Sequence, residues 1–156
     1  MIMRNSELIL KTFDGSMKEL KVQSQQKETK VEFEINYYDN NDNLTDAILT
    51  FDEVIVIDFQ VNYFHGWMGL ELGGFYEIFE TSYKTELIEK VFENRRNAYL
   101  YKGNYIYDAE DENDSLNYRT HINDIIKCID SYHLYQQETQ GGIFQVLAKG
   151  YTLLDK

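Results

Sequence analysis

The chain has 156 residues and a formal net charge of −12, with thirteen tyrosines, nine phenylalanines and one tryptophan. This length fits a single domain, 1–156, and the aromatic content argues against disorder. The acidity argues against a nucleic acid or an anionic membrane as partner, because both are polyanions.

The first half of the chain is predicted to form strands, since short apolar runs alternate with turn signals such as Asp14-Gly15-Ser16. In Lys30–Tyr38, apolar and polar residues alternate with a period of two, which indicates a half-buried antiparallel strand. The longest run, Val54–Phe64, is predicted to be a central strand. The other predicted strands here are Glu7–Phe13, Met17–Gln23 and Thr45–Phe51.

A glycine-rich segment, 65–76, follows the predicted central strand and holds four of the nine glycines and the only tryptophan. Glycine at this density permits sharp bends and close backbone approach. We interpret the segment as a wide turn whose Trp67 fills the core. The alternative is a loop that presents Trp67 and Tyr76 to a partner, since aromatic side chains dominate many interfaces.

The second half of the chain is predicted to mix helices and hairpins. Apolar residues recur at helical spacing in Ser82–Ala98, and a shorter helix is favoured for Thr120–Asp130 despite its isoleucines. Hairpins are predicted for 99–107 and, around Gly141-Gly142, for 132–154. The fold class is therefore α+β: an antiparallel, strongly twisted sheet built mostly from residues 6–64 with one or two helices packed on it, a barrel being the alternative.

Catalytic and metal-binding motifs are not found in the sequence. Cys128, the only cysteine, excludes an internal disulfide, fits a reducing and hence cytoplasmic setting, and is expected to be buried among isoleucines. The three histidines lack the spacing of a zinc site, and Asp39–Thr50 lacks the glycine and glutamate of a calcium loop. No phosphate-binding loop or nucleophile elbow occurs. We therefore expect no cofactor and no metal, and we favour a protein that is not an enzyme.

The charge distribution is the most informative feature of the sequence. Between Val31 and Tyr83 there are eleven acidic residues and no lysine or arginine. A field of one sign attracts partners of the opposite sign, and aromatic residues supply buried contact area. We therefore expect a non-catalytic acidic protein that recognises or neutralises a basic protein. The expected partner-binding residues are Glu32, Glu34, Tyr38, Asp58, Trp67, Glu71 and Tyr76.

Small acidic bacterial proteins without a catalytic motif are often of this binding type, and toxin-neutralising immunity proteins are one example. The chain matches no family motif, so no functional residues can be assigned to it from a family. A second hypothesis is a β-barrel or sandwich that binds a small molecule, with or without catalysis, in an aromatic pocket. Its lining would be Phe59, Tyr63, Trp67, Phe75 and Tyr76. A third is a subunit of a homodimer or larger homo-oligomer, which like charges on residues 31–62 would oppose.

Overall fold

The computed structural model describes residues 5–25, 28–64, 66, 69–100 and 119–156. The chain forms two compact units, one of Met1–Glu80 with Tyr132–Lys156 and one of Thr81–Ser131. All nine strands of the described residues belong to the first unit, and the helices belong to the second. The expectation of one domain stays a prediction.

The strands form two antiparallel sheets rather than one. The four-stranded sheet has the order β2-β3-β4-β9, and the five-stranded sheet has the order β1-β6-β7-β8-β5. Both sheets are open, so the α+β class with antiparallel sheets is confirmed and the barrel alternative is not realised. The strands are β1 Ser6–Leu10, β2 Ser16–Gln25, β3 Glu28–Tyr38, β4 Leu44–Asp52, β5 Val56–Val61, β6 Phe75–Ile78, β7 His133–Thr139, β8 Gly142–Ala148 and β9 Gly150–Asp155.

The core of the first unit lies between the two sheets, which pack as a sandwich. Phe33 and Phe51 of the four-stranded sheet are buried, and they face aromatic rings of the five-stranded sheet. The ring centroids of Phe33 and Phe144 are 6.1 Å apart, and those of Phe51 and Tyr135 are 5.5 Å apart. Burying rings of this size is the main stabilising term available to a sandwich, and edge-to-face pairs add about 0.5–1.5 kcal/mol each.

The described residues of the second unit form two helices, as the sequence predicts. Helix α1 covers Thr81–Leu100, and α2 covers residues 119–127, followed by a 3₁₀ turn at Ile129–Ser131. The Arg119 guanidinium makes two hydrogen bonds to the Glu89 carboxylate, at 2.5 and 2.7 Å. None of the helical segments in the described ranges has the length and apolarity that a bilayer crossing requires.

Several local predictions are wrong. The strand predicted as central is an edge strand, β5, because β8 pairs with it on one side only. The terminal hairpin predicted for 132–154 is formed by β7 and β8 alone, while β9 joins the other sheet beside β4. Tyr99 and Leu100, predicted to begin a hairpin, continue α1, and the rest of that hairpin lies outside the described residues. Cys128 is exposed rather than buried.

Candidate functional site

Two of the predicted site residues, Glu32 and Glu34, share the outer face of the four-stranded sheet. They alternate with the buried Val31, Phe33 and Ile35 along β3, so their side chains point away from the core. They line a shallow surface hollow together with three residues of the neighbouring strands, Glu19, Lys21 and Ile48.

Lysines from outside the lysine-free stretch lie on this same face. Lys156 Nζ is 2.7 Å from Glu34 Oε1, and Lys18 Nζ is 2.7 Å from Asp46 Oδ1. The hydrogen bond from Lys156 lowers the pKa of Glu34 below its ordinary value. Two further ion pairs on the face join Lys21 to Glu19 and Lys30 to Asp52. The acidic stretch is therefore not a bare negative face where it forms the sheet.

Asp58 and Tyr76 lie on the other sheet. Asp58 is opposite Gln145 in β8, and Tyr76 is opposite Gln136 in β7. Because Gln136 and Gln145 are themselves paired, these four residues form one line across the five-stranded sheet. The alternation along these strands places this row on the face turned away from the sandwich core, so Asp58 does not join Glu32 and Glu34.

The aromatic residues of the predicted pocket are also separated. Phe59 and Phe75 pack into the core, where Phe59 lies 5.3 Å from Phe144 between ring centroids. Tyr63 is 72 % exposed, and Tyr76 lies on the outer face of the five-stranded sheet. The structure brings these four rings to three different places, and Trp67 lies outside the described residues.

The loops of one end of the sandwich meet around the glycine-rich segment. Met17 N–H donates to the Gly69 carbonyl, and Asp14 N–H donates to the Leu72 carbonyl. On the other sheet, Gly73 N–H donates to the Glu138 carbonyl. These bonds bring the connections of both sheets together at what we call the loop end. It comprises residues 11–15, 38–44, 61–64, 66, 69–74 and 138–143.

The loop end has most of the exposed apolar side chains of the described residues. Phe64 is 84 % exposed, and Phe13 is 45 % exposed, within a turn in which Asp14 has a positive φ. Of the eleven large apolar side chains that are exposed in the described ranges, seven lie here: Phe13, Tyr38, Leu44, Val61, Tyr63, Phe64 and Ile143. Among these seven, the sequence predicts Tyr38 as a partner-binding residue and Tyr63 as part of the aromatic pocket.

Carboxylates accompany these apolar side chains. Five of them make no ion pair with any described residue: Asp14, Asp39, Asp42, Glu71 and Glu138. The N–H groups of Asn43 and Asn41 donate to the Asp39 carboxylate and lower its pKa. Glu71, with a positive φ, accepts a hydrogen bond from the Gln140 amide. Only their position beside exposed apolar residues distinguishes Asp39 and Asp42 from the carboxylates of an ordinary turn.

A cluster of titratable groups lies at the opposite end of the first unit. Glu77 Oε1 is 2.5 Å from Nδ1 of His133, whose ring stacks on Tyr135. Burial and the Glu77 charge raise the pKa values of Tyr135 and Tyr151. Glu77 can orient the imidazole as a proton acceptor. In the described part of the chain, however, no nucleophile is hydrogen-bonded to His133, so the cluster does not form a catalytic triad.

Metal coordination is not supported by the described residues, among which no three His, Cys, Asp or Glu side chains are grouped closely enough to hold an ion. Comparisons with models of protein families, with curated proteins and with solved structures give no match. The geometry of the loop end is therefore the strongest functional evidence.

Proposed function

We propose that this protein is a non-catalytic binding module and that its loop end recognises a basic protein. The observation that carries the proposal is the coincidence of exposed apolar side chains and carboxylates at one end of the sandwich. Scattered exposed apolar residues need no explanation, but their concentration within one surface is typical of an interaction site.

The charges of the loop end favour a cationic partner. Lys11 is the one lysine among its described residues, and Lys18 and Lys156 on the neighbouring four-stranded sheet already pair with Asp46 and Glu34. The carboxylates of the loop end thus face solvent with little compensation. Such a field raises the association rate of an oppositely charged partner, and its effect falls as salt screens it.

The apolar side chains of the loop end supply contact area that a partner can bury, which charge alone does not provide. Phe13, Tyr63 and Phe64 present large surfaces that a partner can bury, and aromatic residues commonly dominate the energy of binding. The backbone bonds at Gly69, Leu72 and Gly73 hold the loops together before binding. A surface ordered in advance loses less conformational entropy when a partner docks.

The test is capture from a lysate of the source cells at low salt, followed by kinetics with the captured protein. The variant Asp14→Asn/Asp42→Asn/Glu71→Gln removes three loop-end charges, and asparagine tolerates the positive φ at both aspartates. We expect association to slow by roughly tenfold at low salt and its salt dependence to flatten.

The matched control is Glu7→Gln/Glu32→Gln/Glu53→Gln, which removes the same number of charges from exposed or partly exposed positions away from the loop end. This variant should change association much less. Apolar contact is tested with Tyr63→Ser/Phe64→Ser, which should speed dissociation. If no basic protein is captured, or if both charge variants behave alike, the proposal is wrong.

A further inference from the structure

The edge of the five-stranded sheet formed by β5 is unpaired among the described residues. β5 bonds to β8 on one side and is the last strand of its sheet on the other. It then runs directly into the loop end, where Tyr63 and Phe64 are exposed. A sheet edge of this kind is a template for another strand.

The register shows which backbone groups face the open edge. Asn62 N–H donates to the Gly141 carbonyl at 2.7 Å, so Asn62 bonds towards β8. In an antiparallel pair, residues whose N–H and C=O face the neighbour alternate with residues whose groups face away. The N–H and C=O groups of Ile57, Phe59 and Val61 therefore point to the open edge.

The other three sheet edges have features that discourage strand addition. β1 contains a register shift between Leu8 and Leu10, and β2 contains one between Met17 and Glu19. β9 is flanked by Lys149 and Lys156. Bulges and edge lysines are the usual protections. Within Val56–Val61, β5 has a regular register and no proline, and the surrounding sequence from Val31 to Tyr83 has no lysine or arginine.

We propose that the β5 edge receives an extended, basic segment of the partner as an added strand. The inference rests on the proposed function, because the loop end and the lysine-free β5 favour the same cationic partner. Main-chain hydrogen bonds from Ile57, Phe59 and Val61 would supply affinity, and lysine or arginine side chains of the segment would supply charge complementarity.

The probe is a fluorescent ten-residue peptide of alternating lysine and valine with blocked ends, and binding is followed by anisotropy. Val61→Pro removes one outward N–H at an edge position where proline is tolerated, while Val61→Thr keeps it. We expect the wild-type protein and Val61→Thr to bind alike and Val61→Pro to bind roughly tenfold more weakly. The same peptide with every backbone amide N-methylated keeps its charges and should lose most of its affinity for the wild-type protein.

Several outcomes would overturn strand addition. One is equal affinity for the methylated and unmethylated peptides, and another is no binding of either. A third is a wild-type dimer, seen by light scattering, that Val61→Pro dissociates, since a second copy would then occupy the edge. The capture experiment distinguishes these failures from failure of the proposed function. If a captured basic protein requires the loop-end carboxylates but binds Val61→Pro as well as the wild type, the proposed function is supported and the added strand is rejected.

Discussion

Nε2 of Gln137 lies 3.1 Å from the hydroxyl oxygen of Thr12, so that a hydrogen bond joins residues 125 positions apart in the chain. Both side chains are buried. The Thr12 hydroxyl donates to the Gly73 carbonyl, and the Gln137 amide donates to the same carbonyl at 3.1 Å. A buried polar network of this kind fixes the glycine-rich segment against β7 and thereby the shape of the loop end.

Gln137→Leu should lower the free energy of unfolding by about 2–3 kcal/mol, because it leaves the buried Thr12 hydroxyl and Gly73 carbonyl with fewer partners. Urea denaturation measures the change. Gln60→Leu, at an exposed position of the same sheet, is the matched control and should cost less than about 1 kcal/mol. Thr12→Val combined with Gln137→Leu should be less destabilising than the sum of the two single changes; full additivity would contradict the shared network.

Gly69→Ala should destabilise the protein by more than about 2 kcal/mol, because a Cβ there would lie 1.9 Å from the Met17 carbonyl oxygen. Gly150→Ala is the control, since no atom lies within 4 Å of the equivalent position. That change should stay within about 0.5 kcal/mol of the wild type. Thermal melting of both variants decides the matter, and equal melting temperatures would show that the close approach at Gly69 is absent.

The protein should lose stability above pH ~10, where tyrosines of the unfolded chain ionise. Burial raises the pKa of Tyr135, and the Glu77 charge adds to the shift. Because the fold favours the neutral phenol, this contribution is fully present below the unfolded pKa and declines as pH rises above it. Tyr135→Phe should make the alkaline decline of unfolding free energy shallower than in the wild type. An unchanged slope in Tyr135→Phe would refute the assignment.

Lys156→Gln should return the pKa of Glu34 towards its ordinary value, since the hydrogen bond from Lys156 is the main cause of its lowering. The lowered pKa means that the associated stabilisation is present above the unfolded carboxyl pKa and is lost as pH falls through the folded one. NMR titration of the side-chain carboxyl carbons measures the shift. Asp39 is the internal control, because backbone N–H groups lower its pKa and Lys156→Gln does not affect them.

Local periodicity explains what the sequence predicts well. The alternation of Val31, Phe33 and Ile35 with polar residues indicates a strand with one buried face, and the structure buries these three side chains. The helices of 81–100 and 119–127 are also predicted, because the spacing of their apolar residues follows the period of a helical backbone. The same signal does not reveal that β5 lies at an edge, since an edge strand beside a packed core has much the same composition as a central one.

The candidate site is predicted less well than the strands. Of its seven predicted residues, Tyr38 and Glu71 lie at the loop end, whereas Glu32 and Glu34 lie on the four-stranded sheet. Asp58 and Tyr76 lie on the five-stranded sheet, and Trp67 lies outside the described residues. The sequence does not point to Phe13 or Phe64, and it suggests Tyr63 only as a pocket residue, because apolar residues next to a turn or strand end give no sign of whether they are covered.

The sequence by itself determines the total charge, the strand and helix periods and the absence of lysine and arginine between Val31 and Tyr83. The tertiary structure decides where that charge acts. Lys18 and Lys156, from outside the stretch, pair with Asp46 and Glu34 on the sheet, while Asp39 and Asp42 remain without ion pairs among the described residues at the loop end. The reason is physical: Coulomb interactions depend on distance in space, and strand pairing brings together residues that are distant in the chain.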